Sequence, residues 1–134
     1  MYQKLTLVGH LGGNPEMRYL PDGTAVTNFS VAVNNNHTDR NGQKVEQTTW
    51  FRVSAWNNLA ENVNQYLSRG SKVLVEGTLQ ADRETGSPRT FLRNDGTTGA
   101  SFEVKAISVV FLSAIGEQHE TDEVEDAVED DFVL

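Results

Sequence analysis

The sequence contains no cysteine. A disulfide framework and a thiolate-held metal are both excluded, and a reducing, cytoplasmic setting is the expected one. Its three histidines, His10, His37 and His119, have no metal-ligand spacing. No apolar run approaches the roughly 18 residues needed to cross a bilayer. The opening Met1-Tyr2-Gln3-Lys4-Leu5-Thr6 has no basic stretch followed by an apolar one, so neither a signal peptide nor membrane association is expected. No Ser–His–Asp arrangement is suggested, and no Gly-rich loop stands between a strand and a helix to cradle phosphate. Paired carboxylates abound only near the C-terminus, where flexibility would prevent the fixed geometry of acid–base catalysis. Neither an enzyme activity nor a cofactor is expected.

Positive charge is absent from the last part of the chain. From Glu117 onward there are nine acidic residues and no Lys or Arg. The overall charge of -8 therefore misdescribes the rest, because residues 1–116 hold all eleven bases against ten acids, a net of +1. A near-neutral body with an acidic tail remains compatible with a polyanionic ligand. Residues 1–113 are expected to form one domain, and residues 114–134 a flexible tail too polar to offset its ordering entropy. That tail closes on Asp130, Asp131, Phe132, Val133 and Leu134, three apolar residues after a run of acids.

The body reads as β-rich. Residues 4–11 are apolar and end in the turn signal Gly12-Gly13-Asn14-Pro15. In 25–34, Phe29, Val31 and Val33 alternate with Asn28, Ser30 and Ala32. Asn41-Gly42 suits a type I′ hairpin turn. Residues 48–56, 72–81 and 102–112 supply three more strands. Between 56 and 72 the pattern becomes helical: Asn58 is placed to cap, with Glu61 three residues later, and Leu59, Val63, Tyr66 and Leu67 share a face. Gly70 suits a stop, with Arg69 favourable at the negative end of the helix dipole. Residues 82–100 carry Gly86-Ser87-Pro88 and Asp95-Gly96, and read as a protruding hairpin. Three strands, a short helix and two strands is the element order of an OB-fold. This small five-stranded Greek-key barrel, all-β apart from its helix, binds oligonucleotides or oligosaccharides.

The segment 48–56 is the most informative. Period-two alternation puts Trp50, Arg52, Ser54 and Trp56 on one face and Phe51, Val53 and Ala55 on the other. The second set suits a core. The first leaves two indoles beside a guanidinium, about 20 Å apart at 3.3 Å per residue, enough to hold different nucleotides. Base–aromatic stacking is tolerant of sequence. Arg52, Lys72, Arg83, Arg89 and Arg93 are candidate phosphate contacts, with Phe91 and His37 as further ring-bearing candidates.

These residues also carry a family resemblance. The stretch Val8-Gly9-His10-Leu11-Gly12-Gly13-Asn14-Pro15-Glu16-Met17-Arg18-Tyr19 resembles the opening motif of bacterial single-stranded DNA-binding proteins. Glu46-Gln47-Thr48-Thr49-Trp50-Phe51-Arg52-Val53 is similar to their third strand. Leu59-Ala60-Glu61, Tyr66-Leu67 and Gly70-Ser71-Lys72-Val73-Leu74-Val75-Glu76-Gly77 are similar to their helix and fourth strand. The likeness spans about residues 2–112.

The resemblance implies a homotetramer that protects single strands in replication, recombination and repair, and an acidic tail that docks partner proteins. It implies base stacking by Trp50, and by Trp56 where the family has a stacking Phe. His37 stands where the family has another Trp. A third family Trp aligns near Glu84, with no aromatic counterpart, and Phe91 is the nearest candidate to replace it. The tip Asp130-Asp131-Phe132-Val133-Leu134 keeps the acid-then-apolar order of the family tail and lacks its Pro.

Overall fold

The computed structural model describes residues 1–112, so the acidic tail and its apolar tip lie outside the described residues. The elements are β1 (Leu5–Leu11), β2 (Glu16–Tyr19), β3 (Ala25–Asn34), β4 (His37–Thr38), β5 (Lys44–Val45), β6 (Thr48–Trp56), α1 (Asn58–Tyr66), β7 (Lys72–Gln80), β8 (Arg89–Leu92) and β9 (Thr98–Phe111).

Five of these strands close a barrel. β1 pairs β7, β7 pairs β9, β9 pairs β6 and β6 pairs β3, and β3 returns to β1 through His10↔Ala32 and Leu11↔Val31. Among the described residues only β6 and β9 run parallel. This is the OB-type closure that the element order predicts. Two short strands extend the walls, β2 along β3 and β8 along β9.

The core follows from alternation. Phe29, Val31, Val53, Ala55, Val73, Val75 and Val104 turn inward and are essentially buried. α1 closes one end with Ala60 and Val63, and Leu67, just past the helix, packs beside them. The buried Thr27 hydroxyl donates to the Ala60 carbonyl at 2.7 Å, tying the helix to β3. Between Glu76 and Gly77 the β7–β9 register slips, so that Ile107 bulges out of the ladder. A Cβ on Gly77 would lie 2.9 Å from the Lys105 carbonyl carbon and closer still to its oxygen. Only glycine lets the strands approach there.

Several local expectations are corrected. The helix N-cap is Asn57, not Asn58, at φ 59° and without a side-chain capping bond. Its backbone N–H is instead held by Ala25 O at 2.9 Å, so tertiary pairing fixes the helix start. The helix ends at Tyr66 with an extended Leu67. Gly70, at φ 87°, serves the following turn, and Arg69 lies beyond the last helical turn. Tyr66 is exposed, its ring 6.1 Å from that of Phe111. The β4–β5 turn is not type I′, because only Gly42 of the Asn41-Gly42 pair has positive φ. Gly42 N–H bonds Asp39 O, and Asp39 Oδ1 accepts from the N–H groups of Asn41 and Gln43. The Asp39 side chain thus favours a type I turn with a glycine bulge.

Candidate nucleic-acid interface

The outer face of β2, β3, β6 and β9 forms a grid set by register. One row runs Glu16–Asn28–Ser54–Lys105, the next Ser30–Arg52–Glu103, and Ala32 lies opposite Trp50. The expected split of β6 is clearest in its middle: Val53 and Ala55 are fully buried and Trp50 is 53% exposed, whereas Phe51, Ser54 and Trp56 are half-buried.

Trp50 owes its position to a missing side chain. A Cβ on Gly12 would fall 2.7 Å from the indole Cη2, so the ring lies over the glycine backbone. It divides two shallow hollows. One, of about 370 Å³, is lined by residues including Gly12, Asn14, Glu16, Asn28 and Arg52. The other, of about 330 Å³, includes Thr49, Phe51, Arg52, Ser101 and Phe102. Ser30, Trp50 and Arg52 line both. A flat aromatic wall beside a cation, with hydroxyls and amides around it, suits planar bases on a phosphate backbone.

Trp56 is in a different state. It is half-buried, and the Lys105 ammonium stands 5.7 Å from its ring centroid. Its indole Nε1 is buried with no hydrogen-bond partner among the described residues. No local sequence pattern marks Lys105, because the parallel β6–β9 pairing, Ser54↔Lys105, is what carries it to β6.

The predicted basic residues fall into separate groups. Arg52 is exposed on β6, between the two Trp residues. Lys72 is 6% exposed on β7, paired with His10, and does not join the β6 cluster. It lies on the same face of β7 as Leu74, opposite to the core residues Val73 and Val75, and is covered there, which sequence position alone does not reveal. Arg83 is exposed in the turn after β7. Arg89 reaches Glu103 at 3.4 Å, and Glu103 is the register partner of Arg52. Phe91 sits over Gly99, where a Cβ would meet its ring at 2.7 Å, and is 47% exposed. Arg93 lies 5.8 Å from the Phe91 centroid and donates to Thr98 O at 2.9 Å. The hairpin therefore presents an aromatic with its own cation, as its composition suggested. At its tip the Thr97 hydroxyl and N–H hold the Asp95 carboxyl below its ordinary range. His37 is exposed on the β4–β5 hairpin and lines neither hollow.

Among the described residues no group of His, Asp or Glu is placed to hold a metal ion, and no helix is long and apolar enough to cross a membrane.

Comparison with known proteins gives a consistent set of likenesses. The sequence model of the single-strand binding protein family matches residues 2–112. Two proteins named single-stranded DNA-binding protein, from Neisseria meningitidis serogroups A and B, are each 39% identical over 114 residues. That alignment covers 85% of this chain and 62% of each relative, so the chain spans about three fifths of their length. The crystal structure of the small single-stranded DNA-binding protein from Streptomyces coelicolor superposes with a TM-score of 0.66 at 27% identity. It covers 81% of this chain and 93% of that one.

Proposed function

The chain belongs to the single-strand binding protein family, and from that premise we propose that it binds single-stranded DNA without sequence preference and catalyses no reaction. The observation that carries this is Trp50, half exposed on Gly12, with Arg52 between it and Trp56. Bases stack on the indoles. Arg52, Arg83, Arg89 and Arg93 supply phosphate contacts, joined by Lys105. Phe91 and His37 are auxiliary rings, and Lys72 contributes from its buried position only if the surface around it opens. Because residues 1–116 carry a net charge of only +1, stacking bears an unusually large share of affinity and the salt dependence is shallow. Competition filter binding tests the ligand class: single-stranded DNA should displace a labelled oligo-dT, and duplex DNA and oligosaccharide should not. Equal displacement by duplex would overturn the reading.

Gly12 gives a sharper test of the Trp50 geometry. Gly12→Ala should push the indole off its seat and weaken binding by a substantial part of the about 1–3 kcal/mol that a stacked base contributes. Its melting temperature should change little, because the displaced group is a half-exposed side chain. Unchanged affinity in fluorescence anisotropy would separate Trp50 from the bound base.

The proposed role in the cell is protection of single strands in replication, recombination and repair, in the cytoplasm with the nucleoid. Self-association as a homotetramer is supported by the outward row Val8–Leu74–Val110 across β1, β7 and β9, two of whose members are exposed. The acidic tail competes with DNA for the basic groups, and Asp130, Asp131, Phe132, Val133 and Leu134 dock other proteins. Truncation after Gly116 should strengthen oligo-dT binding at low salt, with the gain fading as salt screens the tail. Equal affinity at both salt concentrations would remove the competition role.

A further inference from the structure

The hollow on the β9 side of Trp50 contains Phe102, an aromatic residue on the core-facing side of β9. Phe102 shares a face with Val104 and Ala106, which are 1% and 6% exposed, yet Phe102 itself is 52% exposed. The cause is topological. β6 and β9 are laddered only from Phe51↔Phe102 to Ser54↔Lys105. Before that point they diverge: β9 turns to pair with β8 at Thr98–Ser101, while Thr48–Trp50 stay with β3. Phe102 therefore stands at the crotch of a fork. Among the described residues, the β9-facing edge of Thr48–Trp50 has no strand partner there.

We propose that Phe102 is a further base-stacking residue, holding one base of the bound strand in this fork, in the hollow it shares with Trp50. The proposal rests on the single-stranded DNA reading above and assigns a ligand to its second hollow. The ring is held in advance: its centroid is 5.6 Å from that of Phe51, at 34° between planes. A side chain already packed on one side loses little freedom on binding, so its exposed side is a platform of low entropic cost. The same hollow supplies what a nucleotide needs beyond a ring. Arg52 can reach phosphate, and Thr49 and Ser101 offer hydroxyls to base or sugar edges. Exposing a Phe in a hollow bordered by a Trp and an Arg is costly in water unless a planar apolar group covers it. A strand passing over Trp50 therefore continues toward the β8–β9 hairpin by way of Phe102, linking the β6 cluster to Phe91.

The test uses the full chain with oligo-dT carrying 5-bromodeoxyuridine. Phe102→Leu keeps apolar volume and removes the π-face; Phe102→Tyr keeps both. The Leu variant should bind about fivefold or more weakly, within the range measured for loss of one stacked base. The Tyr variant should bind as the unaltered protein does. The salt slope should not change, because no phosphate contact is lost. Irradiation of the unaltered complex should place a crosslink on Phe102. Unchanged affinity of the Leu variant, with tryptophan quenching by oligo-dT retained, overturns the role of Phe102 alone. Weaker binding with a lowered melting temperature and no crosslink also overturns it, as a structural effect. Absence of quenching in the unaltered protein overturns the DNA-binding reading itself.

Discussion

Replacing Trp50 and Trp56 together with alanine should weaken oligo-dT binding by about 2–6 kcal/mol, if two stacked bases are lost at about 1–3 kcal/mol each. The lower bound is already about thirtyfold in Kd. The two indoles should contribute unequally. Trp50 is half exposed and walls two hollows, so its ring face is available without rearrangement. Trp56 is half-buried beneath Lys105, and a base must move that ammonium aside to reach it. The single Trp50→Ala change should therefore account for most of the loss. Neither side chain belongs to the buried core, so circular dichroism of the double variant should match that of the unaltered protein. Unchanged affinity would sink the assignment of this face.

Gly77→Ala should destabilise the fold by about 3 kcal/mol, the upper part of the range for overpacking, lowering Tm by about 10–20 °C in a domain of this size. The added methyl would meet backbone, the Lys105 carbonyl, rather than a side chain that can turn away. Relief would require β7 to separate from β9 beside the Ile107 bulge, where the register slips. Gly13→Ala is the control: its Cβ would meet nothing within 4 Å, so its Tm should stay within about 2 °C. Equal melting of the two variants would mean that the close approach at Gly77 is not needed for barrel closure.

What the sequence disclosed was mainly what depends on neighbours a few residues away. Alternation put Phe29, Val31 and Val33 on one face of β3 and Phe51, Val53 and Ala55 on the core face of β6; Phe29, Val31, Val53 and Ala55 are buried, and Val33 and Phe51 are partly buried against them. The helix and the hairpin of residues 82–100 were legible for the same local reason. β2 was not. It follows Pro15, has only four residues and presents a mostly exposed pattern, so it lacks the alternating apolar face that marks a strand. The Asn41-Gly42 pair signalled a turn correctly, but its type depended on Asp39. The helix start depended on Ala25 O, far away in sequence.

The site divided similarly. Trp50 and Arg52 share a strand, so period two was enough to place them on one face. Lys105 and Phe102 reach β6 only through the parallel β9 ladder, which no local pattern encodes. Phe102 was concealed by the regularity of its strand: its alternation with Val104 is that of a core residue, and only the end of the β6–β9 ladder leaves it exposed. Lys72 shows the opposite error. A cation at the edge of an apolar strand reads as surface, yet the fold covers it.

The central claim is that single-stranded bases lie on the indole of Trp50. Titration of intrinsic tryptophan fluorescence with oligo-dT of increasing length tests it most directly. The account predicts saturable quenching that deepens with length until the site is filled. That quenching should be largely lost in Trp50→Ala and not reproduced by duplex DNA of the same length. Fluorescence unchanged at saturating oligo-dT, or quenching equal with duplex, would contradict it.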